Sequence, residues 1–128
     1  MHTFSIIVSG PPYGTQNSST AFLFAKTLLS SKNKIYGVFF FADGVQNSNF
    51  FVKSSNDEYN LVNKWYKLSN KFGFKLNVCA SACMRRGILS YLDNKKKKNI
   101  NNFHHGFKFI GSMALSFFII NSDRIIQF

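Results

Sequence analysis

The sequence predicts an α/β fold: a mainly parallel sheet with helices on both faces, built as a single domain over residues 1–128. Three observations point there. Apolar runs of strand length, such as residues 3–8 and 34–41, alternate with longer segments whose apolar residues recur at helical spacing. Turn formers punctuate the alternation, in Ser9-Gly10-Pro11-Pro12-Tyr13-Gly14 and again at Asp43-Gly44. The resulting order of strand, helix, strand, helix repeats to the C-terminus, and parallel strands need such crossovers. A chain of 128 residues, 45% hydrophobic, can bury a sizeable core without disulfide staples.

Thr3 to Val8 opens the sheet. A helix follows, with Asn17, Ser18 or Ser19 as its N-cap and Phe22, Leu23, Ala25, Leu28 and Leu29 on its buried face. Lys34 to Phe41 is the second strand, continuous enough over Val38 to Phe41 to be buried on both sides. Val45 to Asn56 is polar around Phe50 and Phe51 and reads as an irregular loop. The acidic pair Asp57-Glu58 suits the first turn of a helix, Leu61, Val62, Trp65, Tyr66 and Leu68 give its apolar stripe, and Gly73 ends it. Residues 75–78 form a third strand, and a helix opening at Ala80 extends toward Tyr91. The lysine run Lys95 to Lys98 reads as a solvated loop. A short strand at Phe107 to Ile110, a helix over Gly111 to Ile120 and a strand from Arg124 to Phe128 complete the chain.

The net charge of +11 invites a nucleic-acid reading. It is weakened because only Arg85, Arg86 and Arg124 are arginines, the other thirteen cations being lysines, the residue a low-GC genome oversupplies. The same charge steers acidic protein partners. Sixteen phenylalanines are open to two readings, codon bias or aromatics placed at a protein interface, and the second predicts poor solubility without partners. Two cysteines make no secreted disulfide framework, and their Cys-x-x-x-Cys spacing is neither a redox motif nor half of a metal site. Met1-His2-Thr3 lacks the basic region of a secretion signal, and the longest apolar stretch, Met113 to Ile120, falls short of the roughly 20 residues that span a bilayer. A cytosolic, soluble protein is expected.

Cys79 is the candidate catalytic residue. It stands where a strand passes into a helix, so its sulfur faces backbone amides and the positive end of the helix dipole, which favour the thiolate. Cys83, one turn further on, is read as a packing residue, with resolution of a persulfide or disulfide as the lesser alternative. Arg85 and Arg86 either anchor an acidic partner or favour the thiolate, or else they form a solvated helix face. His104 and His105 have no Cys, Asp or Glu neighbour to complete a metal site and are read as loop residues. Gly10 to Ser19 occupies the place where doubly wound proteins bind phosphate, but it matches no glycine-rich fingerprint and its prolines lack amide donors. It is read as a rigid loop at the rim of the thiol site. No cofactor and no metal are expected.

Taken together, Gly10-Pro11, Tyr13-Gly14-Thr15-Gln16, Phe39-Phe40, Gly44-Val45, Asn47, Asp57-Glu58, Leu61-Val62, Trp65, Leu76-Asn77 and Cys79 resemble the DsrE/TusD family of sulfur-relay proteins. The resemblance continues through Arg85-Arg86-Gly87, Gly106-Phe107, Gly111, Ala114-Leu115, Asp123-Arg124 and Gln127-Phe128. It implies a parallel sheet sandwiched by helices and a sulfurtransferase subunit in tRNA thiolation. On this reading Cys79 accepts sulfane sulfur from a TusA-like donor and passes it to a TusE-like acceptor, toward 2-thiouridine at the wobble position. It also implies a heterohexamer with TusB-like and TusC-like subunits. Cys83 and the lysine run depart from the family's pattern, and no role is carried onto either.

Two other readings compete. One is a scaffold subunit of the same fold with Cys79 merely buried; thiol reactivity at neutral pH separates the two. The other is a small nucleotide- or RNA-binding module, which salt-sensitive RNA binding without partners would favour.

Overall fold

The computed structural model describes residues 1–90 and 101–128. Five strands form one sheet: β1 (Thr3–Val8), β2 (Lys34–Phe40), β3 (Lys75–Cys79), β4 (Phe107–Ile110) and β5 (Arg124–Gln127). Their spatial order is β4-β3-β2-β1-β5, and every neighbouring pair is parallel. The helices are α1 (Asn17–Ser30), α2 (Leu61–Phe72), α3 (Ala80–Arg85) and α4 (Leu115–Ile120). The predicted α/β class with helices on both faces is what the chain adopts.

Alternation along β2 shows how the faces are covered. Phe40 turns to one side and packs edge-on against Trp65 of α2, ring centroids 5.4 Å apart. Trp65 in turn meets Phe22 of α1 at 5.3 Å, so α1 and α2 lie together on that face. Ile6, Val8, Val38, Leu76 and Val78 fill the same layer. Trp65 is 0% exposed, and truncating it to alanine would cost about 3–5 kcal/mol through the cavity left behind. Phe39, the next residue, turns to the opposite side and meets Phe118 of α4 at 5.9 Å. That second face is covered thinly: Met113, Phe117, Ile119 and Ile120 around Phe118 are all exposed.

Several local expectations are corrected. The cap of α1 is Gln16, without a side-chain bond, because Ser18 is turned inward and hydrogen-bonds Asn47. Leu23 is 58% exposed rather than on the buried face, which Ser18, Ala21, Phe22, Ala25 and Leu28 supply. The segment Val45 to Asn56, expected to be irregular, starts inside a 3₁₀ helix over Ala42–Ser48 with Gly44, Val45, Asn47 and Ser48 buried, and the expectation fails only for those first residues. Helix α2 starts at Leu61, not at Asp57, because the Asn60 side chain accepts from the Asn63 N–H and caps it there. Gly73 ends it in the left-handed conformation at φ 78°, as the sequence predicts. Helix α3 stops at Arg85 and does not reach toward Tyr91; Gly87 at φ 71° turns the chain back so that the Ile88 N–H bonds the Cys83 carbonyl. The lysine run Lys95 to Lys98 lies outside the described residues.

Candidate active site around Cys79

Cys79 is the last residue of β3 and the N-cap of α3, at φ −67° and ψ 115°. Its extended backbone lets the sheet register run up to the thiol, where it pairs with Ile110 of β4. The side chain is half-buried, and its Sγ lies 3.3 Å from the Ser81 hydroxyl. Burial pushes the thiol pKa up. The Ser81 hydroxyl, the amides of Ala82 and Ser81 and the Arg85 guanidinium push it down and outweigh burial, so the thiol sits below its ordinary value. The sulfur makes no direct capping hydrogen bond with an amide; the amides act on the anion at longer range. An N-cap side chain addresses the second and third amides of its helix, which here belong to Ser81 and Ala82. The backbone amides that the sequence places in front of the sulfur are thus those of Ser81 and Ala82.

The two arginines separate. Arg86 Nε donates to the Asp43 carboxylate at 2.9 Å, and its Nη1 donates to the Ala82 carbonyl at 3.1 Å. Arg85 is the one whose charge acts on Cys79. Cys83 is 0% exposed within the core, 3.9 Å from the Ser48 hydroxyl, in keeping with its reading as a packing residue. His104 is likewise structural: its Nδ1 accepts from the Gly106 N–H at 2.9 Å, and its ring stacks on His105. Among the described residues no group of three or more His, Cys, Asp or Glu is placed to hold a metal ion.

The loop 10–19 is anchored rather than poised over a ligand. Asn47 Nδ2 donates to the Gly10 carbonyl at 3.0 Å and to the Gly44 carbonyl at 2.7 Å. Ser18 donates to Asn47 Oδ1 and receives the indole N–H of Trp65. Every member of this chain of bonds is buried, which explains a polar residue at position 47 that periodicity alone had left in a loop.

A model of the DsrE/DsrF-like family matches residues 2–128. The chain belongs to the DsrE/DsrF-like family. Among curated members it is 46% identical over 129 residues to the sulfurtransferase TusD of Buchnera aphidicola subsp. Acyrthosiphon pisum, covering 98% of each chain. It is 38% identical over 126 residues to the sulfurtransferase TusD of Salmonella enteritidis PT4, again covering 98% of each. Its backbone is similar to the crystal structure of the ychN protein from E. coli, at a TM-score of 0.78 over 100% of both chains and 16% identity, which speaks for the fold. The DsrE/DsrF-like sheet thus carries Cys79 at the carboxyl end of a central strand, the edge where open parallel sheets gather their reactive groups.

Sequence reasoning named Cys79 as its candidate, left Arg85 open between a role at the thiolate and a solvated face, and did not single out the Ser81 hydroxyl. Its signal was present: a serine two residues past an N-cap cysteine carries one of the two amides the thiolate faces, with its hydroxyl close to the sulfur.

Proposed function

We propose that this chain, as a single DsrE/TusD-like domain, is a sulfur-relay sulfurtransferase that carries sulfane sulfur as a persulfide on Cys79. The observation that carries the reading is a half-buried thiol whose anion is favoured by Ser81, two amides and Arg85. In the loading step the Cys79 thiolate attacks the outer sulfur of a donor persulfide. A new S–S bond forms at Cys79, the donor's S–S bond breaks, and the donor cysteine leaves as thiolate. The same groups that favour the thiolate then hold the negative charge of the Cys79 persulfide.

Near full-length similarity to TusD sulfurtransferases supports the finer assignment. The donor is a TusA-like protein, the acceptor a TusE-like protein, and the end product 2-thiouridine at the tRNA wobble position. The subunit works in a heterohexamer with TusB-like and TusC-like chains, in the cytoplasm. Among the described residues no helix is long and apolar enough to cross a membrane.

Intact-mass analysis after incubation with a persulfide donor tests the reading in wild type, Cys79→Ser and Cys83→Ser. The expected result is a gain of one sulfur atom, reversed by reductant and lost only in Cys79→Ser. Loading that persists in Cys79→Ser would sink it. No loading at all, with the thiol inert to alkylation, would make the chain a scaffold subunit.

A further inference from the structure

The sheet face opposite α1 and α2 carries a groove of about 340 Å³ whose lining includes Tyr36, Lys75, Asn77, Lys108, Ile110 and Phe117. Side chains alternate along a strand, so Lys75, Asn77 and Cys79 of β3 project to the same face. Beside them on β4, Lys108 pairs with Asn77 and Ile110 pairs with Cys79. The groove therefore runs along β3 and β4 as far as Ile110, the register partner of Cys79, so it ends beside the thiol without the thiol lining it. From Lys75 to Cys79 is about 13 Å of extended strand.

Three features of the groove are unsatisfied. Asn77 is only 8% exposed, lines the groove, and its side-chain amide has no hydrogen-bond partner among the described residues. Buried amides are nearly always paired, so an unpaired one facing a groove is a place for a ligand's donor and acceptor. Lys75 and Lys108 are exposed and form no ion pair among the described residues. Phe117, 59% exposed, gives an apolar wall without a neighbour over it.

We infer that this groove binds an extended acidic segment of the protein that exchanges sulfur with Cys79. A side-chain amide offers one donor and one acceptor group, the complement of a peptide unit. Two lysines flanking it match carboxylates on that segment, and Phe117 with Ile110 accepts an apolar side chain. An RNA strand would share the lysines. A peptide fits better because the exposed rings lining the groove are Tyr36 and Phe117, and Tyr36 is already packed edge to face on the buried Phe118 at 5.5 Å, so the groove offers no run of free stacking platforms. The inference rests on Cys79 being the sulfur-exchanging residue.

The test measures mixed-disulfide formation between Cys79 and short cysteine peptides activated as pyridyl disulfides, in a Cys83→Ala background. In each exchange the Cys79 thiolate attacks the peptide sulfur and thiopyridine leaves. Acidic, neutral and basic peptides are compared, with iodoacetamide as a probe of the thiol alone. The acidic peptide is expected to react about tenfold faster than the basic one. That preference should reverse in Lys75→Glu/Lys108→Glu but survive in Lys26→Glu/Lys67→Glu, which makes the same charge change on α1 and α2. Asn77→Leu should slow the acidic peptide several-fold and leave iodoacetamide unchanged.

Iodoacetamide reactivity with no peptide preference, or a preference untouched by Lys75→Glu/Lys108→Glu, would overturn the groove while leaving Cys79 reactive. Inertness to every reagent would instead overturn the Cys79 reading beneath it. A short polyuridine RNA that shields Cys79 in wild type but not in Lys75→Glu/Lys108→Glu would make this an RNA site and overturn the peptide assignment. Shielding that rises with protein concentration alone would do the same in favour of a second copy of the chain.

Discussion

Arg86 and Asp43 meet at 2.9 Å across the end of the sheet, tying α3 to the 3₁₀ helix that follows β2. This bond divides the labour of two adjacent arginines. Arg86 is turned toward Asp43 and the Ala82 carbonyl, while Arg85 leaves its charge beside Cys79. Arg85→Gln should therefore shift the pH midpoint of Cys79 alkylation upward. Asp43→Asn should leave that midpoint near wild type and lower stability by about 0.5 kcal/mol, the scale of a largely exposed pair. An alkylation rate followed from pH 6 to pH 10 in both variants, with a denaturant melt, checks the division. Equal shifts in the two variants would show that the arginines act as one positive patch.

Ser81→Ala removes the hydroxyl 3.3 Å from the Cys79 sulfur. The hydroxyl favours the anion, so its loss raises the thiol pKa and reduces the thiolate fraction at neutral pH. Only the thiolate attacks, so alkylation at pH 7 should slow several-fold and recover at pH 10, where wild type and variant are both ionised. A deficit that persists at pH 10 would mean that Ser81 controls access to the sulfur rather than its charge.

Asn47 is the hub of the buried bonds that join β1, α1, α2 and the 3₁₀ helix. Asn47→Ala would leave the Ser18 hydroxyl and the carbonyls of Gly10 and Gly44 without their partner. Orphaned buried groups of this kind cost about 1–3 kcal/mol each. After partial relaxation the expected loss is about 3 kcal/mol, or roughly 10 °C in Tm for a domain of this size. Because β1 and α1 meet at this hub, the variant should melt as one transition at lower temperature. A local opening of residues 10–19 by hydrogen exchange, with the global transition unmoved, would limit Asn47 to holding its loop.

The contrast between Cys79 and Asn47 shows what was legible in the sequence. The strand-to-helix passage at Cys79 has a local signature, an apolar β run followed by Ala80-Ser81-Ala82, and its position at the junction could be read there. The parallel order of strands was equally legible, since it follows from alternation and turn formers. Asn47 has no such signature. Its burial depends on Ser18 and Trp65, 29 and 47 residues apart along the chain from their partners in these bonds. Periodicity does not register a polar residue bonded inward. The early stop of α3 was readable from Gly87 alone, but an apolar continuation through Ile88 and Leu89 hid it. Lys75 and Lys108 read as ordinary surface charges until β3 and β4 were placed side by side.

His104 makes the fold sensitive to acid. Its Nδ1 accepts the Gly106 N–H, so the neutral ring carries its proton on Nε2, and adding a second proton at Nδ1 must break that bond. Burial, and secondarily the nearby His105, hold its pKa below the ordinary histidine value. The unfolded chain therefore binds the proton first as pH falls. The stability present above the unfolded value, about 6.5, is lost progressively as pH drops toward the folded one. The groups that face the ring are Tyr66 of α2, Phe50, His105 and Phe107, and among them no carboxylate is present to stabilise the cation. Urea unfolding at pH 7.5 and 5.5 should show a larger drop in wild type than in His104→Gln, which cannot titrate. His105→Gln should fall between them, since it removes the second charge but keeps the buried ring. If wild type and both variants lose stability in parallel, other groups govern the acid response and His104 is a packing residue only.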